Sequence, residues 1–292
     1  MKIAIYGRNT DDNTSEYIQL LFSKLSEYQS EIFIYEPFFV FLKQRIQLDG
    51  DFKIFNSYAD IKGKVDCMLS IGGDGTLLET LTFIQHSGIP VLGINTGRLG
   101  FLASVAKTEI AEAIAALFEK QYTIEKRSLL SVSEPKELFG DVNYGLNELT
   151  ILKKDSSSMI VIHAYINGEF LNSYFADGLI VATPTGSTAY SLSCGGPLIM
   201  PGSENFVITP IAPHNLNVRP FVISDNNIIT LKVEGRSKNH LVSLDSRTRT
   251  IDSSIEITIK KANFYFHLIK LNNQSFFDTM RKKLLWGLDK RN

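Results

Sequence analysis

Val65-Asp66-Cys67-Met68-Leu69-Ser70-Ile71-Gly72-Gly73-Asp74-Gly75-Thr76 is an apolar run that ends in a glycine turn holding a single acid. Gly72, Gly73 and Gly75 bury almost no side chain and cost conformational entropy on folding, so packing does not account for them. They suit a backbone that turns tightly and comes close to a ligand. Residues 65–71 read as a buried strand, and 77–85 as a helix stopped near Gly88 and Pro90. The turn therefore joins a strand to a helix, a place where backbone amides gather around anions. A carboxylate beside a phosphate site, here Asp74, is either a metal holder or a proton acceptor. No Gly-Lys-Ser/Thr follows, so this is not a Walker A loop. The plain alternative is a structural glycine turn with a capping Asp.

Outward from this turn, strands and helices alternate over the first hundred residues. Strands are expected at 2–6, 31–35 and 90–94, and helices at 14–28, 38–46 and 110–118, with Pro37 suited to a first helical turn. On the first helix Tyr17, Leu20, Leu21, Phe22 and Leu25 share a side. This alternation predicts a parallel sheet covered on both faces, with ligands bound outside the carboxyl ends of its strands. The glycine turn lies at one such end and Asn95-Thr96-Gly97 at another. Beyond Tyr122 the texture becomes β-rich. Short runs are expected at 129–133, 145–152, 159–166, 178–182, 206–211, 228–233, 241–244, 255–260 and 265–271, with a hairpin turn at Asn167-Gly168. The fold class is thus α/β: an amino-terminal Rossmann-like domain (1–121), a β-rich, sandwich-like domain (122–271), and a last helix (272–292) returning to the first. One short helix is expected near 188–193, and Ser156-Ser157-Ser158 marks a loop.

With 292 residues, 44% of them hydrophobic, and a net charge of −1, the chain is no general polyanion binder, so no nucleic-acid partner is expected. No apolar run reaches membrane-spanning length, and the first residues read as strand and turn, not as a signal peptide. Cys67 and Cys194 lie far apart in small or apolar surroundings and read as buried free thiols. A cytoplasmic protein is expected. The five histidines (86, 163, 214, 240, 267) are scattered, so no protein-built transition-metal site is expected; His163 and His267 read as structural. Arg98, after Asn95-Thr96-Gly97, can face phosphate or simply solvent. Lys282-Lys283 and Lys290-Arg291 read as a solvated helix face and tail.

Two further segments carry chemistry. Asn147-Glu148 sits inside an apolar run, where successive strand residues point to opposite faces; an Asn and a Glu together can hold a ribose diol. Asp177 to Pro197 is rich in small hydroxyl residues. Pro184-Thr185-Gly186 is a turn, and Ser187 or Thr188 can cap the helix after it. Tyr190 offers a stacking face and one polar tip.

Taken together, Gly72-Gly73-Asp74-Gly75-Thr76, Asn95 through Leu102, Asn147-Glu148, and Asp177 through Tyr190 resemble the NAD kinase family in order and spacing over most of the chain. The first motif is shared with lipid kinases and phosphofructokinases; the long fourth one is not. The resemblance implies an α/β domain, a β-rich domain and a site in the cleft between them. It implies transfer of the terminal phosphate of ATP to the 2′-hydroxyl of the adenosine ribose of NAD, with Mg²⁺ or a similar divalent ion carried with ATP. By the same resemblance Asp74 is the proton acceptor and Gly75 lies beside the dinucleotide. Asn147 and Glu148 hold a ribose, and Asp177 meets the nicotinamide half. Thr188, Ala189, Tyr190, Ser191, Leu192 and Ser193 hold adenine or its ribose, and Ala212 lines the same pocket. Arg247 falls where relatives place a polar ligand contact. Homodimers or homotetramers are implied. Phe175 departs from the pattern, standing where many bacterial relatives carry Arg. Two rivals share parts of this pattern. A lipid kinase would want a membrane-facing apolar surface or basic amphipathic helix, which the sequence lacks; a nucleotide sensor would have lost the acid, and Asp74 is present.

Overall fold

The computed structural model describes residues 1–9, 14–154, 158–235, 237–272 and 274–285. Ser156, Ser157, Trp286 and the Lys290-Arg291 tail lie outside the described residues. In chain order the first elements are β1 (Lys2–Gly7), α1 (Ser15–Glu27), β2 (Glu31–Tyr35), α2 (Glu36–Lys43), β3 (Phe52–Phe55), α3 (Tyr58–Ile61), β4 (Cys67–Ile71) and α4 (Asp74–Ile84). Next come β5 (Val91–Asn95), β6 (Val105–Ala106), α5 (Ile110–Phe118), β7 (Tyr122–Glu134), β8 (Tyr144–Gly145), β9 (Glu148–Lys153), β10 (Ile160–Ile166), β11 (Glu169–Ala176) and β12 (Gly178–Ala182). The chain continues through α6 (Tyr190–Ser193), β13 (Asn205–Ile211), β14 (Phe221–Ser224), β15 (Ile229–Glu234), β16 (Asn239–Leu244), β17 (Arg247–Asp252), β18 (Ile257–Leu271) and α7 (Phe276–Leu284).

These elements form two units, Met1–Glu125 with His267–Asn292, and Lys126–Phe266. The chain leaves the first unit within β7 and returns to it within β18.

In the first unit the sheet order is β18-β5-β4-β1-β2-β3, every pair parallel, with β6 added beside β5. Strands β4 and β5 are buried at every position, as a parallel strand covered on both faces must be. Strand order reverses between β1 and β4, so their carboxyl ends form a switch point. Helix α1 buries Ile18, Leu21, Phe22 and Leu25, while Leu20, expected inside, is exposed. The core joins these residues to Ile3, Ile5, Leu69, Leu92 and Ile114. Helix α7 docks on this unit: the Phe276 ring lies 6.1 Å from that of Phe101, and Ser104 donates to Gln274 at 2.8 Å.

The second unit is antiparallel. One sheet runs β14-β13-β12-β9-β16-β17. The other runs β11-β10-β15-β18, with β7 paired to β8. Inward residues of both, among them Leu149, Ile151, Ile162, Leu179, Val181, Leu231 and Ile257, make one core, the sandwich arrangement. Asn167-Gly168 turns β10 into β11, with positive φ at both residues. Among the described residues, no helix is long and apolar enough to cross a membrane.

Candidate active site

In the first unit, β4 ends at Ile71 and α4 begins at Asp74, three residues before the predicted start, so the acid lies in the first helical turn. The helix dipole and unpaired amides there favour negative charge. Gly72 has φ +153°, and a Cβ on it would collide with Thr76. Beside the turn lies a hollow of about 240 Å³ at the switch point, lined by Arg8, Asn9, Gly72, Gly73, Thr76, Thr96 and Gly97 among others. Arg8 follows the last residue of β1 and pairs with Glu79, which also accepts a hydrogen bond from the Tyr6 hydroxyl at 2.7 Å. The sequence reading missed Arg8; its place directly after Gly7, at a parallel-strand end, was the available clue. Arg98 is exposed and its carbonyl accepts from the Asn95 side chain at 2.6 Å.

The Asp74 carboxylate is held firmly. Oδ2 accepts from the Phe101 amide at 2.8 Å, and Oδ1 from those of Leu102 at 3.0 Å and Ala103 at 2.8 Å. The fourth neighbour is the Lys283 ammonium on α7, 3.5 Å from Oδ2. Gly100 leaves the space: a Cβ there would collide with the carboxylate. The segment 100–103 is therefore the frame around the acid of the first motif.

In the second unit the remaining motifs meet around β12. Its Ala182 pairs with Glu148 and its Gly178 with Ile211, so Asn147-Glu148 stands at one end of the strand and Asp177 and Ala212 at the other. Asn147 precedes β9 and does not alternate with Glu148 along a strand as expected. Its carbonyl accepts from the Thr183 amide at 2.9 Å, and Leu146's carbonyl from the Thr183 hydroxyl at 2.6 Å, which ties the Asn-Glu pair to the Thr-Pro-Thr-Gly turn. Beyond that turn the expected helix is split. Gly186–Thr188 form a 3₁₀ turn, Ala189 breaks the helix, and Tyr190–Ser193 form α6. The Ser191 hydroxyl points inward, 2.8 Å from that of Thr209, and the Thr188 hydroxyl donates to the Thr185 carbonyl. Tyr190 leaves 40% of its surface exposed. Thr188, Ala189 and Leu192 are partly buried, while Ser193 and Ala212 are exposed, Ala212 with φ +44°. Asp177 pairs with Lys153 at 2.6 Å. Phe175 is 46% exposed.

Glu148 stands out electrostatically. Burial, then the neighbouring Asp245 charge, push its carboxyl up to about 8, and its Oε2 is buried without a hydrogen-bond partner. Asp245, which the sequence reading did not single out, accepts from the amides of Leu146 at 2.8 Å, Asn147 at 2.8 Å and Glu148 at 3.2 Å. Arg247 donates to the carbonyls of Val142 and of Tyr144, the latter at 2.6 Å, and lies over the Phe139 ring. Its guanidinium thus braces the 142–144 loop. Cys67 is buried, its thiol pushed up to about 12 by burial, whereas Cys194 is half-exposed, contrary to expectation. His163 bonds Ser173 at 2.7 Å, and the His267 ring nitrogen lies 3.0 Å from the Gly88 carbonyl. Among the described residues, no three His, Cys, Asp or Glu side chains gather to hold a metal ion.

A glycine turn at a parallel-strand end, a framed carboxylate and a nucleotide-sized run of small residues define a phosphotransferase with an alcohol acceptor. Two family models match, "ATP-NAD kinase N-terminal domain" over residues 49–122 and "ATP-NAD kinase C-terminal domain" over 146–271. The chain belongs to the NAD kinase family. It is 49% identical over 293 residues to the NAD kinase of Cytophaga hutchinsonii and 48% identical over 294 residues to that of Flavobacterium psychrophilum, with 100% of both chains covered in each case. The fold is also that of a yeast NADH kinase solved with NADH, at TM-score 0.87 and 22% identity, covering 99% of this chain and 89% of that one. An NAD kinase from Archaeoglobus fulgidus solved in complex with ATP matches at TM-score 0.74 and 25% identity, covering 98% of this chain and 99% of that one.

Proposed function

We infer that this chain transfers the terminal phosphate of ATP to the 2′-hydroxyl of the adenosine ribose of NAD, giving NADP and ADP, with Asp74 as the proton acceptor. The observation that carries this reading is the Asp74 carboxylate itself, fixed at the mouth of a strand-to-helix turn that offers amides to phosphate. The 2′-oxygen attacks the terminal phosphorus, the bond to the bridging oxygen breaks and ADP leaves. The hydroxyl proton passes to Asp74. Phosphoryl transfer leaves little covalent work to the protein, so positioning and charge supply most of the rate. The amides of Gly73 and Gly75 and the Arg8 guanidinium suit the donor phosphates, while the Gly72 amide is spent on the Ile94 carbonyl at 2.9 Å. A divalent ion, Mg²⁺ or similar, carried with ATP would neutralise phosphate charge.

The acceptor is chosen by the second unit. Glu148 and Asp177 flank β12, a span of roughly 16 Å at about 3.3 Å per residue, a length that suits a dinucleotide. Asn147 and Glu148 hold a ribose diol. Asp177 meets the nicotinamide half. Thr188 to Ser193 receive adenine and its ribose, with the exposed Tyr190 ring as the stacking face and Ser191 contributing its backbone. Ala212 lines the same pocket, and Arg247 makes a polar ligand contact. A cytoplasmic homodimer or homotetramer completes the reading.

The test is direct. Purified protein with ATP, Mg²⁺ and NAD is expected to form NADP; folded protein that forms none overturns the assignment. Light scattering on the same sample reads the oligomer.

A further inference from the structure

Lys283 was expected to be a solvated helix residue, yet its ammonium is 3.5 Å from Asp74 Oδ2 and 4.8 Å above the Phe101 ring. Its side chain is only 35% exposed. A carboxylate offers about four lone-pair sites. Three are taken by amides of a single loop, two on Oδ1 and one on Oδ2. The remaining site on Oδ2 faces Lys283. An acceptor hydroxyl that gives its proton to Asp74 must use that site, and the long Lys283 contact is the one that can yield. The three amides cannot move without carrying the loop with them.

Charge makes the same point. A carboxylate at a phosphate-binding turn repels the anionic donor. A cation on a flexible four-carbon stem can leave Oδ2 as the hydroxyl arrives and remain within a few ångströms of the phosphoryl group, whose charge grows more exposed in the transition state. Helix α7 is anchored by Phe276 on Phe101, and the chain just before it by Gln274 on Ser104, so the stem starts from a held base.

We propose that Lys283 is a positioning residue of the phosphoryl-transfer step: it holds the fourth acceptor site of the Asp74 carboxylate until the sugar hydroxyl takes it, and offsets the charge between base and donor phosphate. This rests on the reading of Asp74 as proton acceptor. Lys283→Ala is expected to lower kcat by about 10- to 100-fold, the range of a lost charge-assisted contact, while the KM for NAD stays within about twofold. Lys283→Arg is expected to recover most of the rate, and added ethylamine to recover part of the loss in Lys283→Ala, a rescue that a purely structural lysine would not give. Thermal unfolding of each variant reads folding separately. A Lys283→Ala enzyme with parental kcat, or one slowed but deaf to both Arg and ethylamine, overturns the proposal. Asp74→Asn run beside it separates the two readings. If Asp74→Asn keeps parental turnover, the base assignment has failed; if it is inactive while Lys283→Ala is not slowed, only the role of Lys283 has failed.

Discussion

Asp74 and Asp245 are built alike and placed differently. Each carboxylate accepts from the amides of three successive residues, 101–103 for Asp74 and 146–148 for Asp245. Around Asp74 the fourth place goes to a lysine ammonium, and the side chain stays 28% exposed. Around Asp245 the carboxyl is desolvated, and burial pushes it up despite the amides and Arg247 pulling it down. The same clamp therefore serves opposite ends. On Asp74 it holds a carboxylate that stays approachable. On Asp245 it spends the acid on backbone, fixing the strand entry that carries Asn147 and Glu148.

The sharpest way to break this contrast is to remove each charge while keeping the shape. Asp74→Asn is expected to cut kcat by about 10²–10⁴, the usual worth of a general base, with NAD binding nearly unmoved and a smaller fall in melting temperature than Asp245→Asn gives, because the Asp74 side chain is 28% exposed and water can serve the displaced amide. Calorimetric titration with NAD and steady-state kinetics read the two halves; retained turnover would make Asp74 a structural acid like Asp245.

Asp245→Asn should do the reverse. One of its oxygens becomes an amide donor facing the Leu146–Glu148 amides, and a buried polar group left without a partner costs about 1–3 kcal/mol. A fall of several degrees in melting temperature is expected, with a higher KM for NAD and a kcat within a few-fold of the parent. An unmoved melting temperature with lost kcat would place Asp245, too, among the reacting groups.

The smallest effect concerns Glu148, beside Asp245. Its folded carboxyl is pushed from 4.5 up to about 8, so the folded chain keeps a proton that the unfolded chain releases. Between those values the folded state binds more protons, and stability falls as pH rises. Glu148→Gln removes this titration. Its melting temperature is expected to match the parent near pH 4.5 and to exceed it increasingly up to about pH 8, by a few degrees. A constant gap across that range would mean that Glu148 is ionised in the folded chain.

The strands of the first unit are legible because burial on both faces writes continuous apolar runs, as in β4 and β5. Strand β3 is not, since Phe52–Phe55 lies at a sheet edge with Lys53 and Ile54 exposed. Strand β17 escapes for the same reason: of Arg247–Asp252 only Ile251 is buried. The helix start at Asp74 is hidden because a first turn of Asp, Gly and Thr has no apolar period to display. Among the candidate site residues, the glycine turn, Asn147-Glu148 and the Thr-Pro-Thr-Gly stretch are local patterns, so the chain shows them directly. The clamps are not. Asp245 bonds amides 97 to 99 residues away, and Lys283 meets an acid on another element entirely. A side chain that serves distant backbone leaves no mark on its own neighbourhood.

The path of the chain through β7 and β18 sets an order of assembly. A ribosome that has made the whole first sheet up to β6, glycine turn included, must still complete Lys126–Phe266 before it makes the β18 residue that pairs with β5 at Val91 and the helix that carries Lys283. The acid is thus synthesised early and its cation last. A nascent or prematurely ended chain holds the turn without the ammonium that lies beside its acid.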